Sequence, residues 1–156
     1  MSYLIKTAIP DPKAREFEFV RQKTMYGGRR IAPGDEIFLF ASETEGGAGL
    51  IARGVVTRAA ATPRIPGVAR QTPRVDIVVR RTALAKRALG REQLRAFKTW
   101  NDGRPETELN FKFYRQATNK IGSISDDAAR FLRGCFKPRA RPARSRATSR
   151  GAARPR

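Results

Sequence analysis

Apolar and polar residues alternate in short runs along most of this chain, and proline- and glycine-rich turns separate the runs. "SYLIKTAI" (Ser2 to Ile9) reads as a strand stopped by "PDP". In "EFEFVRQ" (Glu16 to Gln22), Phe17 and Phe19 fall on one side and Glu16 and Glu18 on the other. That is a period of two, although a short helix is the competing reading. "DEIFLFAS" (Asp35 to Ser42) is the clearest strand; it is apolar on both faces and so is expected to be buried on both. Pro33-Gly34-Asp35 ahead of it is turn chemistry, with proline pre-setting φ and glycine following. "ETEGGAG" connects it, hairpin-like, to a partner strand, "LIARGVVTRAA". "TPRIPGVARQTPR" carries three prolines and is a long loop, and "VDIVVRRTAL" is a strand rich in β-branched residues.

The second half is less regular. "ALGREQLRAFKTW" places Leu94, Phe97 and Trp100 three residues apart, which predicts a short amphipathic helix that "NDGRPE" then breaks. "LNFKFYRQ" (Leu109 to Gln116) again has a period of two and predicts a strand. "SISDDAARFLRGCF" predicts a closing helix with Ser125 as N-cap and Asp126 and Asp127 in the first turn, where the helix dipole favours negative charge. The strands are not regularly separated by long helices, which argues against a doubly wound sheet. The expected fold class is α+β: a small mixed, partly closed β-barrel over residues 1–136 with short peripheral helices.

Charge changes this picture. The chain carries a net +19, with 33 basic and 14 acidic residues. From Lys137 to Arg156 it has eight basic residues, no acid and no large apolar side chain, so residues 137–156 are expected to be a disordered basic tail. Removing that tail leaves a net of about +11, so the basicity belongs to the folded part as well. A polyanion is the expected partner. No run of 18 apolar residues and no clean basic amphipathic helix points to a membrane. "MSYLIKTAIPDPK" lacks the marks of a signal peptide, and one cysteine, Cys135, cannot form an internal disulfide. A cytoplasmic location is expected.

Composition also removes chemistry. There is no histidine, so Ser-His-Asp and Cys-His catalysis and imidazole metal sites are excluded. Cys135, among Phe131, Leu132 and Phe136, reads as a small buried hydrophobe. No cofactor, metal or catalytic residue is expected; an enzyme would require Asp102, Glu106 and Glu108 to converge on a metal ion.

Three stretches carry a family likeness. "YLIKT" at the start, "RRIAPGDEIFLFAS" followed by "GLIARGVV", and "FKFYRQATNKIGSISDDAARFL" resemble, in that order, segments of the EVE domain within the PUA-like superfamily. "YGGRR" stands where the family commonly reads G-V-R-N. The resemblance implies a curved β-barrel whose concave mouth binds nucleic acid, as relatives do with a flipped, often modified, base.

Such a mouth needs an aromatic plate, polar groups for the base edge and cations for flanking phosphates. Tyr26, followed by two glycines and then Arg29 and Arg30, is one candidate plate, or else a loop tyrosine covering the barrel end. Trp100 is another, although its place in an apolar stripe favours a core role. In the resemblance Ser42 faces the pocket; otherwise it caps a strand end. Lys6 is either a phosphate or base contact or an edge-strand lysine that discourages aggregation. Tyr114, Arg115 and Gln116 combine a ring, a bidentate donor and an amide, and Asn119 and Lys120 extend that polar patch. The expected function is non-catalytic binding of RNA or DNA, including recognition of a modified or flipped base. The alternative is a small-ligand or protein-interaction module whose charge serves solubility or ribosome association.

Overall fold

The computed structural model describes residues 1–115 and 118–138. Six strands form a mixed sheet: β1 (Ser2–Thr7), β2 (Glu16–Met25), β3 (Glu36–Ala41), β4 (Gly49–Ala61), β5 (Arg74–Leu84) and β6 (Lys120–Ile124). They close into a barrel in the order β1-β3-β4-β5-β2-β6. β1 runs parallel to β3, and β2 parallel to β6; the remaining neighbours are antiparallel. Glu16 to Gln22 therefore belongs to a strand, and its alternating burial, with Phe17 and Phe19 inside, is what the period of two required.

β1 and β3 are buried on both faces because each separates two apolar layers. Tyr3, Ile5, Ile37 and Leu39 point into the barrel with Phe17, Phe19, Ile77, Val79 and Ile121. Leu4, Phe38 and Phe40 point outward into a second layer with Leu94, Leu109, Phe113, Ala128 and Leu132. The outer layer is roofed by α1 (Arg91–Leu94), α2 (Pro105–Leu109) and α3 (Asp126–Gly134). Each fully buried Phe, Leu or Ile contributes about 1.5–3 kcal/mol relative to exposure, so the roof is held mainly by this apolar layer. Ahead of β3, Asp35 N–H bonds Ala32 C=O at 3.1 Å and Gly34 has φ 94°, the type II turn that Pro33-Gly34 favours. The Ser125 hydroxyl accepts from Ala128 N–H at 3.1 Å, capping α3 as its sequence predicts.

Two segments depart from the sequence reading. Leu109 to Tyr114 is not a strand: α2 runs directly into a wider, π-type turn, Asn110–Tyr114. Pro105 occupies the first helical turn, where its missing N–H costs nothing. Leu109 and Phe113, four apart, share the buried face, and Arg115 N–H bonds Asn110 C=O at 2.9 Å, five residues back. Over so short a run, a period of two and a helical period fit the same aromatics. The strand lies instead at Lys120–Ile124, where Gly122 weakens the local strand signal. The glycine leaves room for the roof there: a Cβ would meet Phe113 Cζ at 3.0 Å, and the ring would have to give. The helix expected from Leu94 to Trp100 shrinks to the single turn of α1; Leu94 is buried but Trp100 is 76% exposed. Trp100 is thus not a core residue. The tail from residue 139 onward and Gln116 lie outside the described residues.

Candidate nucleic-acid interface

The carboxyl ends of β1 and β3 gather a polar cluster under the helical roof. Lys6 in β1 is only 1% exposed, and it faces Lys120 of β6 directly across the sheet. β1 has neighbours on both sides in the closed barrel, so Lys6 is not an edge-strand lysine. Its ammonium lies 4.7 Å from the centre of the Tyr114 ring. Burial holds its pKa below the ordinary lysine range; Glu43 opposes that shift and Arg91 reinforces it. Lys120 is fully buried and donates to Thr118 C=O at 3.2 Å. Burial, with repulsion from Lys6 and Lys23, pushes its pKa down to about 8.

Glu43 supplies the counter-charge. It stands in the short turn after β3, and its carboxylate accepts the Tyr114 hydroxyl at 3.0 and 3.2 Å and Arg91 N–H at 2.7 Å. Burial, and then the charge of Glu43, raise the Tyr114 pKa, so the phenol stays protonated and donates. Tyr114 also meets the Phe40 ring edge-on at 6.4 Å. Ser42 is buried beside Glu43, and its hydroxyl pairs with Thr44 Oγ1 at 2.9 Å. Its N–H and C=O bond Thr7 and Gly47, so Ser42 builds the turn that presents Glu43. Asn119 reaches Glu45 in the same turn at 3.3 Å.

Five residues singled out in the sequence, Lys6, Ser42, Tyr114, Asn119 and Lys120, thus come together, and Tyr26, Arg29, Arg30, Trp100 and Arg115 do not join them. Arg115 is exposed and stacks its guanidinium over Phe111 at 4.7 Å, away from Tyr114. Tyr26 is 41% exposed, with φ 53°, and Lys112 Nζ lies 5.4 Å from its ring centre. Arg29 and Arg30 are exposed on the turn that follows, which packs against β6. Gly27, at φ 79°, lets that turn reverse direction. Trp100 sits in the loop between α1 and α2. Glu43 escaped the sequence reading because nothing local marks a glutamate in a glycine-rich connection as a partner for a tyrosine 71 residues away.

The scattered acids have structural roles. Glu108 accepts the Ser125 hydroxyl and amide and the Lys112 ammonium, tying α2 to the start of α3. Burial works to raise its pKa, but those bonds prevail and hold it below the usual carboxylate range. Asp102 accepts Thr107 Oγ1 at 3.0 Å and Arg104 N–H at 3.0 Å. Glu36 takes Arg133, Arg53 and the Ser2 hydroxyl. Among the described residues, no group of three or more Cys, Asp or Glu side chains could hold a metal ion, and no helix is long and apolar enough to cross a membrane.

No family model matches the chain, and no curated protein matches it by sequence. Solved structures do match. The human THYN1 protein in complex with 5-methylcytosine-containing DNA aligns with a TM-score of 0.60 and 13% identity, over 90% of this chain and 99% of that one. The DUF55 domain of human thymocyte nuclear protein 1 aligns at 0.59 and 14%, over 85% and 96%. A protein from Pseudomonas syringae aligns at 0.54 and 16%, over 85% and 98%. At such identities the likeness establishes the fold alone: the mixed, closed barrel with short helices that these proteins share.

Proposed function

We propose that this chain is a non-catalytic nucleic-acid-binding module that reads a modified base in DNA, turned out of the stack, at the carboxyl ends of β1 and β3. The observation that carries this reading is the fold shared, over 90% of the chain, with a protein bound to 5-methylcytosine-containing DNA. The local chemistry supports it. Glu43 accepts hydrogen bonds at the rim of the roof, as recognition of an exocyclic amine such as that of cytosine requires. Lys6 and Lys120 place cationic donors behind it, and exposed Tyr26 offers a ring on which a neighbouring base stacks. Extruding a base costs a few kcal/mol of lost stacking and pairing, and stacking and edge contacts offset that cost. The absence of histidine and the hydrogen-bonded, protonated state of Tyr114 favour binding over proton-transfer chemistry.

Fluorescence anisotropy with duplexes that carry cytosine or 5-methylcytosine, and with RNA of the same sequence, tests this. Salt-sensitive binding with a several-fold preference for the methylated duplex is expected, and Glu43→Gln should weaken binding of both duplexes. Absence of salt-sensitive binding to every one of these probes would sink the reading.

A further inference from the structure

Where β2, β4 and β5 meet, five arginines surround one open groove: Arg21, Arg29, Arg64, Arg70 and Arg74. Its volume is about 1030 Å³, and no acidic residue lines it. The local construction is specific. β2 bulges between Phe19 and Gln22, and Arg21 adopts φ 51° there, with its N–H donated to Asp76 at 2.7 Å. Arg74 donates to Arg21 C=O at 2.8 Å and fixes the bulge. The loop joining β4 to β5 forms the far wall. Its Gln71 amide accepts Ile65 N–H at 3.0 Å and donates to Ile65 C=O at 2.9 Å, which folds the loop back on itself. Thr24 anchors its base by bonding Pro73 C=O at 2.8 Å.

Several cations outside the groove are paired with acids. Arg53 and Arg133 share Glu36; Arg95, Arg130 and Lys112 each pair with an acid on their own helical segment. None of the five groove arginines is in an ion pair among the described residues. The carboxylate of Asp76 on β5 accepts the Arg21 amide and the Thr62 hydroxyl. Like charges around one concavity repel, and they focus a positive field into it. Guanidinium groups bind phosphate oxygens in pairs, and five of them around a groove this long match several phosphates rather than one small anion.

We propose that this groove holds the phosphodiester backbone of the DNA duplex that flanks the base read near Tyr114. The proposal rests on the base-reading function above. Arg29 connects the two regions: its turn packs against β6, the strand that begins with Lys120. The groove supplies affinity without sequence information, whereas the polar cluster supplies the choice of base.

The test is a salt titration of duplex binding by the full chain and by the Arg29→Gln/Arg64→Gln/Arg70→Gln variant. Arg21 and Arg74 are left intact because they hold the bulge. The slope of log Kobs against log salt is expected to shrink by about 1 for each arginine that contacts a phosphate, roughly 3 in all. Affinity should drop at least tenfold for methylated and plain duplexes alike, leaving their ratio unchanged. An Arg95→Gln/Arg130→Gln control should keep the parental slope. A parental slope in the triple variant overturns the groove assignment while leaving base reading intact. A reduced slope without any methyl preference, in a chain insensitive to Glu43→Gln, removes base reading and leaves the groove standing. Equal or tighter binding of duplex RNA overturns the assignment to DNA, and no salt-sensitive binding by the parent overturns both.

Discussion

Lys6 and Lys120 lie side by side beneath the helical roof, whereas Arg64 and Arg70 stand in solvent around an open groove. Both regions are cationic, but they are integrated into the fold in opposite ways. The buried lysines are desolvated and their pKa values are depressed; the carboxylate of Glu43, held by the Tyr114 hydroxyl and the Arg91 amide, opposes the shift at Lys6. The groove arginines are exposed and have no carboxylate partner among the described residues. A charge built into packing is expensive to alter and fixed in position; a charge left on an unpaired rim costs the fold little and is available to a ligand. Substitution should therefore separate the two regions by stability first.

The largest effect is expected at Tyr114. Truncation to alanine removes the Phe40 edge contact, the cover over Lys6 and the donor to Glu43 together. A loss of about 3–5 kcal/mol in urea denaturation is expected, comparable to other large aromatic truncations in cores. A loss below about 1 kcal/mol would mean that the cluster is not a packed unit, and the contrast with the groove would collapse.

A second effect, of roughly 1–3 kcal/mol, should appear only as a dependence on pH. Lys120 titrates near 8 in the folded chain, below its ordinary value of 10.5. Between those values the unfolded chain binds more protons than the folded one, so the Lys120 contribution to stability rises with pH. Lys120→Met lacks that rise. Parental stability minus variant stability should climb from pH 8 to pH 10.5, while Tyr3, Tyr114 and Cys135 titrate in both proteins. A flat or falling difference would show that Lys120 is not desolvated.

The same contrast explains how far the sequence could be read. Strand β3, the Pro33-Gly34 turn and the Ser125 cap are specified by neighbours in the chain, and they are legible there. Leu109 to Phe113 reads as a strand from its period of two and folds as a helical turn, because a helical period fits the same residues and only burial of that face under the roof decides. An edge position stays open for Lys6 in the sequence, beside a phosphate or base contact, because barrel closure by β6 is a long-range event hidden by Gly122. The groove was invisible for the same reason: Arg21 and Arg29 meet the 62–74 arginines only through the pairing of β2 with β5. The signal was nonetheless present, since "TPRIPGVARQTPR" holds three arginines and no acid.

The smallest effect is expected in the groove, and its sign distinguishes binding residues from structural ones. Arg70 is exposed and makes no ion pair among the described residues, so Arg70→Gln should change stability by no more than about 0.5 kcal/mol. It removes one of five like charges, so the change should be a slight gain. Repulsion between exposed charges is screened within about 10 Å at 0.1 M salt and about 3 Å at 1 M. The gain should therefore appear as a higher melting temperature in low salt and vanish at 1 M. A salt-independent loss would place Arg70 among the residues that hold the loop, and the groove would then resemble the Tyr114 cluster instead of opposing it.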